Sequence, residues 1–233
     1  MNITATMVKE LRDKTGAGMM DAKKALVEVD GDMEKAMEVL RQKGMASADK
    51  KMGRIAAEGR IGSFVNETAG AMIEVNCETD FVAKNAEFIE LTNGLAQMVA
   101  ETNPADVDAL LASVCPKCNK PIADVIKEKI ASIGEKITVR RFVRYEGNVA
   151  TYIHNGKIGV LLNTDAKDEV LAKDVCLHIA SSAPEFISRK DIPAHVIEEE
   201  TRIEMGKEDL AKKPEQIRAK IVEGRVNKLM AHR

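Results

Sequence analysis

The stretch AMIEVNCETDFVAKNAEFIELTNGLAQM, residues 71–98, decides the fold class. Within the predicted strand 71–77, apolar and polar residues alternate over 73–77, which is the two-residue period of a half-buried β-strand. Apolar residues then recur over 88–98 at the spacing of one helix face. Between the two patterns, Thr79 and Asp80 are both residue types that cap the start of a helix. A strand that runs directly into a helix predicts a mixed α+β chain.

The residues on either side of this stretch extend the same pattern. A strand is predicted at 61–65, and the polar turn 66–70 joins it to the strand in the quoted stretch. Downstream, a helix is predicted over 122–133 and a closing strand over 137–145. Residues 54–146 are therefore interpreted as the first half of a core domain, a sheet packed with helices.

The plan of a hairpin followed by helices starts again after this first half. Asn155-Gly156 is a strong hairpin signal, because both residue types tolerate the left-handed backbone that tight hairpin turns need. The predicted elements are strands 149–154 and 157–163, then helices 167–182, 194–205 and 214–229. Residues 147–233 are interpreted as a second, similar half, and no closing strand is predicted before the chain stops at Arg233.

The first fifty residues have a different pattern, that of three short helices separated by glycine turns. Gly44 stands where a glycine commonly ends a helix, so the third helix is expected to stop there. Residues 46–54 are small and charged without an apolar period, which favours a linker. Residues 1–53 are therefore predicted to form a helical module with its linker.

Composition and the absence of known motifs argue against several classes of function. Charged residues make up 31% of the chain but the net charge is only −2, and aromatic residues make up 3%. A nucleic-acid-binding protein would normally concentrate positive charge on one face, so nucleic acid is not expected as a partner. No apolar run is long enough to span a membrane and no export signal is recognised, so a soluble, cytoplasmic protein without a membrane partner is expected. Motifs for phosphate cradles, dinucleotides or catalytic serines are absent, so neither enzymatic activity nor a cofactor is expected.

Three groups of stretches resemble the bacterial-type translation elongation factor Ts family, and together they extend over nearly the whole chain. They are TATMVKELR at 4–12 with TGAGMMD at 15–21 and KKAL at 23–26; EVNCETDFVA at 74–83; and YIH at 152–154 with KIGVL at 157–161, HIA at 178–180 and PEF at 184–186.

The resemblance implies both a fold and a function. The helical module would be of the ubiquitin-associated type, followed by the core of two similar halves. The protein would be a guanine nucleotide exchange factor for elongation factor Tu. It would bind that partner in its GDP-bound and nucleotide-free forms, contact its GTPase domain, displace its magnesium ion and promote GDP release during translation elongation.

The family's signature segment corresponds to Thr79, Asp80, Phe81 and Val82, which the resemblance places against the partner's nucleotide site. The residues alone would favour a plainer interpretation, a helix cap followed by a core phenylalanine. However, Phe81 falls in the first turn of the predicted helix, so it need not share the buried stripe built around Phe88.

The resemblance places further contacts in the helical module and near the hairpin. Leu11, Met19 and Met20 match the module's contact region, although methionines at helical spacing are often simply core residues. His154 corresponds to a histidine near the partner, whereas a single histidine at a strand end is more often a solvated surface residue.

Two features depart from the family pattern. Related proteins usually continue with another strand and a C-terminal helical module, whereas this chain ends at Arg233. A missing strand would leave a sheet edge that favours a homodimer, and the alternative function is a ubiquitin-associated-type adaptor with reduced or no exchange activity.

The second departure is Cys115-Pro116-Lys117-Cys118, a candidate metal-binding pair without a second pair to complete four ligands. No metal site is predicted from it. The pair is interpreted either as a structural insertion or as part of a zinc site shared between two chains.

Overall fold

The structure is a computed structural model that describes residues 3–211 and 213–231. It contains both helices and antiparallel sheet, which confirms the predicted α+β class. The chain divides into two compact units, residues 1–176 and 177–233. The boundaries expected from the sequence, after residues 53 and 146, stay predictions.

Three helices open the first unit: α1 (Ala5–Thr15), α2 (Met19–Glu28) and α3 (Met33–Lys51). The Thr4 side chain caps α1 by accepting a hydrogen bond from the amide of Met7, and the Asp32 side chain caps α3 by accepting from the amides of Glu34 and Lys35. Between them the helices bury a small apolar core, made of Val8, Leu11, Ala22, Ala25, Leu26 and Ala36.

The third helix is longer than the sequence predicted. It continues through Gly44 to Lys51, so the predicted stop at Gly44 is wrong, and so is the predicted linker over residues 46–51. The reason is tertiary, because a Cβ atom at position 44 would lie 2.9 Å from the Cβ of Ala131. Gly44 permits close packing between helices instead of ending one. Ala48, within the supposed linker, is fully buried in the core of the sheet domain.

The elements of the sheet region follow in chain order: β1 (Glu58–Val65), β2 (Ala69–Cys77), α4 (Asp80–Ala83), α5 (Ala86–Thr102), α6 (Val107–Ala112), β3 (Val114–Cys115), β4 (Lys120–Pro121), α7 (Ile122–Ile133) and β5 (Thr138–Glu146). Strands β1, β2 and β5 form an antiparallel sheet with β2 in the centre. The main core lies between this sheet and the helices, with Phe88, Leu95, Ile73 and Ile130 among its most buried members.

A second hairpin follows, formed by β6 (Val149–His154) and β7 (Ile158–Asn163). Its turn has the left-handed backbone that the sequence indicated, with φ of 51° at Asn155 and 72° at Gly156. In the described part of the chain β7 pairs with β6 alone. Helix α8 (Glu169–Ser182) then begins in the first unit and continues into the second.

The second unit is helical. It contains a 3₁₀ turn at Arg189–Asp191, α9 (Ala194–Met205), another 3₁₀ turn at Glu208–Leu210, and α10 (Glu215–Met230). Its core is made of Ile192, Leu210, Val222, Val226 and Met230. Among the described residues, no helix combines the length and the apolar character needed to cross a membrane.

Candidate functional site

The connection between β2 and α4 presents the most exposed aromatic side chain near the sheet. We call residues Thr79–Val82 the junction segment. Phe81 is 82% exposed although it lies one turn from the main core. Its neighbours anchor the turn, because Val82 packs against the core and Ala83 is buried. The short helix therefore turns one large apolar side chain outward while the next two residues hold it in place.

Phe81 and Phe88 show how the same residue type serves two purposes. Phe88 is fully buried on α5, as its helical spacing predicted. Phe81 belongs to a separate four-residue helix, α4, and Asn85 caps the start of α5 after it. The expectation that Phe81 lies outside the buried stripe agrees with this position.

Thr79 is the N-cap of α4. Its side-chain oxygen accepts a hydrogen bond from the amide of Val82 at 3.4 Å, so Thr79 rather than Asp80 fills the capping role. Asp80 is the first helical residue and accepts a hydrogen bond from the Lys84 ammonium group at 2.7 Å. This hydrogen bond lowers the pKa of Asp80, which keeps a negative charge at the start of the helix.

The carboxylate of Glu135, which is distant in sequence, accepts hydrogen bonds from the start of the junction segment and from the residue before it. One oxygen of Glu135 accepts hydrogen bonds from the amides of Glu78 and Thr79, each at 3.0 Å. Its other oxygen accepts from the Thr79 hydroxyl at 2.6 Å. In return, the Glu78 carboxylate accepts from the amide of Lys136 at 2.7 Å, and this hydrogen bond lowers the pKa of Glu78. Sequence reasoning missed Glu135, because no local pattern connects it to Thr79.

A polar cleft lies beside the junction segment, with a volume of about 600 Å³. Lys84 lines it from the end of α4, and Asn155 and Gly156 line it from the β6–β7 turn. The guanidinium group of Arg60 lies over Gly156, where a Cβ atom would come within 3.0 Å of it. The cleft therefore brings the hairpin turn and Lys84, two residues after the junction segment, to one surface.

His154 lies at the start of that turn and is exposed. One of its ring nitrogens lies 3.0 Å from the Tyr152 hydroxyl and the other 3.2 Å from the Asn155 side-chain amide. These neighbours orient the ring at the rim of the hairpin, next to the residues that line the cleft.

The predicted contact residues of the helical module differ in exposure. Met19 is 48% exposed and Met20 is 63% exposed in the first turn of α2. Leu11 is fully buried in the core of the module and has no surface to offer a partner. The sequence prediction of Leu11 as a contact residue is therefore corrected, because its helical position faces α2 and α3 and not solvent.

Cys115 and Cys118 come together in a small hairpin that the sequence did not predict, because its strands are only two residues long. A hydrogen bond between the two thiols is the main cause that lowers the pKa of Cys115 and raises that of Cys118. No group of three or more histidine, cysteine, aspartate or glutamate side chains fit to hold a metal occurs in residues 3–211 and 213–231. The pair offers two thiols, whereas a tetrahedral zinc site needs four ligands.

Known proteins of one kind resemble this chain over nearly its full length. Residues 78–233 match the family model described as Elongation factor TS. The elongation factor Ts of Alkalilimnicola ehrlichii is 48% identical over 235 residues, covering 99% of this chain and 80% of the relative. Those of Chromobacterium violaceum and Leuconostoc mesenteroides are also 48% identical, covering 98% and 99% of this chain and 79% and 81% of the relatives. Because the similarity includes the junction segment, the sheet and the helices after it, the chain belongs to the elongation factor Ts family.

Proposed function

We propose that this chain is a guanine nucleotide exchange factor for elongation factor Tu. Family membership supports the proposal, and the exposed ring of Phe81 is the single observation that carries its mechanism. The factor binds the partner in its GDP-bound and nucleotide-free forms, as an exchange factor must if it enters before GDP leaves and stays until GTP arrives. It acts in the cytoplasm and catalyses no covalent step.

Phe81 acts by displacing the groups that hold magnesium and GDP on the partner. Magnesium requires near-ideal octahedral geometry and bridges nucleotide phosphates, so a small displacement of its surroundings weakens nucleotide binding. A rigid aromatic side chain suits this task, because it brings a large apolar contact area and has few rotatable bonds to order. Thr79, Asp80 and Val82 support it as cap, charged neighbour and anchor.

The effect on GDP is a coupling free energy between two binding events. If the factor weakens the partner's affinity for GDP by some ratio, GDP weakens the partner's affinity for the factor by the same ratio. The factor therefore leaves readily once a nucleotide is bound again, which allows it to act repeatedly.

The helical module supplies a second contact with the GTPase domain. In this proposal α1–α3 form the ubiquitin-associated-type module, followed by a core of two similar halves, one with sheet β1-β2-β5 and one with hairpin β6-β7. Met19 and Met20 offer flexible, polarizable surface for the contact. His154 adds a contact from the hairpin turn, and a second copy of the chain can pair along the side of β7 that forms no ladder with the described residues.

The adaptor alternative is not favoured. A ubiquitin-associated-type adaptor would need only the helical module, whereas the family model matches residues 78–233, which lie outside that module. The experiment that separates the two functions is release of fluorescent GDP from elongation factor Tu, followed by stopped flow. The exchange factor accelerates release as its concentration rises, whereas an adaptor binds the partner and leaves the release rate unchanged.

A further inference from the structure

We infer that Glu135 is a positioning residue for Phe81, and that together with Glu78 it forms a reciprocal lock between the junction segment and the end of α7. The inference rests on the proposed exchange function and adds to it the residue that fixes the orientation of the aromatic ring. Glu135 does not itself need to contact the partner.

The lock begins where the sheet ends. The last ladder partners of β2 are Asn76 with Thr138 on one side and Cys77 with Glu58 on the other. The amides of Glu78 and Thr79 therefore lie just beyond the ladder, and both donate to Glu135 instead. Hydrogen bonds to a charged acceptor are stronger than those between neutral groups, so one carboxylate fixes two successive peptide groups.

The Thr79 hydroxyl transmits this restraint to the helix that carries Phe81. It donates to Glu135 at 2.6 Å and accepts from the amide of Val82 at 3.4 Å. The hydroxyl thus donates to Glu135, two residues after the end of α7, and accepts from an amide of α4. Because Phe81 is 82% exposed, its own packing contributes little, and the direction of its ring depends on this first turn.

The return contact makes the lock reciprocal. Glu78 accepts from the amide of Lys136 at 2.7 Å and lies 3.3 Å from the Arg54 guanidinium group. The Lys136 ammonium group donates in turn to the Arg54 carbonyl at 2.9 Å. The Glu135 carboxylate thus binds the segment at 78–79, and the Glu78 carboxylate binds the segment at 136 and Arg54. Neither segment can shift relative to the other without breaking several hydrogen bonds.

The test is a double-mutant cycle on GDP release from elongation factor Tu, with the full chain throughout. Glu135→Ala is expected to lower the saturating release rate by about threefold to tenfold when Phe81 is present, and to have little further effect in the Phe81→Ala background. Glu90→Ala, an exposed carboxylate on α5, is the matched control and should leave the rate unchanged. Equal losses in both backgrounds, or no loss in either, would overturn the inference.

Amide hydrogen exchange provides a readout that a general loss of stability would not reproduce. Glu135→Ala should deprotect the amides of Glu78 and Thr79 while that of Ile73, inside the regular ladder, keeps its protection. If Glu135→Ala fails to fold, Glu135→Gln, which retains the side-chain volume, replaces it in the same double-mutant cycle of GDP release rates. A wild-type chain that does not accelerate GDP release would sink the proposed function, whereas normal acceleration by Glu135→Ala would sink the lock alone.

Discussion

At the residue scale, the molecule depends on the contrast between two phenylalanines seven positions apart. Phe88 is fully buried and belongs to the main core, whereas Phe81 is 82% exposed. An exposed aromatic ring adds little to the stability of its own chain, because most of its surface stays in water. Its place on the surface is therefore better explained by a partner than by folding.

Two alanine substitutions separate these roles by their effect on the free energy of unfolding. Phe88→Ala is expected to destabilise the protein by about 3–5 kcal/mol, because it removes a buried side chain and leaves a cavity. Phe81→Ala is expected to change stability by less than about 0.5 kcal/mol, as is usual for an exposed position. Urea denaturation followed by circular dichroism measures both, and a large loss of stability for Phe81→Ala would show that its ring supports the fold.

At the element scale, α3 contributes to both the helical module and the core of the sheet domain, and residues 52–57 connect it to β1. Its Gly44 approaches α7 at Ala131, and its side chains pair with α7 through Asp49 and Lys127 at 2.9 Å. A glycine inside a helix normally costs stability, so its presence here is explained by the space that α7 occupies.

Substitution of two helix glycines by valine tests this packing. Gly44→Val should destabilise the protein by about 1–3 kcal/mol, because the new side chain overlaps Ala131 and forces α3 from α7. Gly94→Val is the matched control in α5, where nothing lies within 4 Å of the added Cβ, and should be neutral within about 0.5 kcal/mol. Equal thermal midpoints for the two variants would contradict the close helix contact.

The same elements show what a sequence can and cannot predict. Helix α9 and strand β6 have the predicted bounds, because Pro193 and the Asn155-Gly156 turn mark them locally. The predicted end of α3 was wrong because Gly44 packs against Ala131, which is distant in sequence, and local capping rules take no account of such contacts. Glu135 was missed for the same reason, since its three hydrogen bonds reach a segment more than fifty residues away. The two-residue strands β3 and β4 are too short to give a period.

At the scale of the whole molecule, the second unit carries a buried charge that its surroundings compensate. Glu204 is 4% exposed, pairs with Lys207, and lies 3.4 Å from the Arg225 guanidinium group. Arg225 also donates to Asp209 at 2.5 Å. The hydrogen bond from Lys207 lowers the pKa of Glu204, and that from Arg225 lowers the pKa of Asp209.

These lowered pKa values predict how the second unit responds to acid. Because the folded pKa of each carboxyl lies below its unfolded value of about 4, the stabilisation is complete above that pH and is lost as pH falls through the folded pKa. The protection factors of amides in α9 and α10, which are exchange rates corrected for the intrinsic pH dependence of amide exchange, should therefore fall on acidification. Arg225→Ala should lower these protection factors at neutral pH and make them depend less on pH, and an unchanged pH profile of protection would contradict this role.

The measurement that tests the proposed mechanism most directly is the release rate of fluorescent GDP from elongation factor Tu as the factor is titrated to saturation. Phe81→Ala is expected to lower the saturating rate by roughly tenfold, because the coupling between the two binding sites is lost. Met20→Ala, at the exposed start of α2, should instead raise the concentration needed for half the maximal rate. A Phe81→Ala factor that reaches the wild-type saturating rate would contradict the role assigned to the exposed ring.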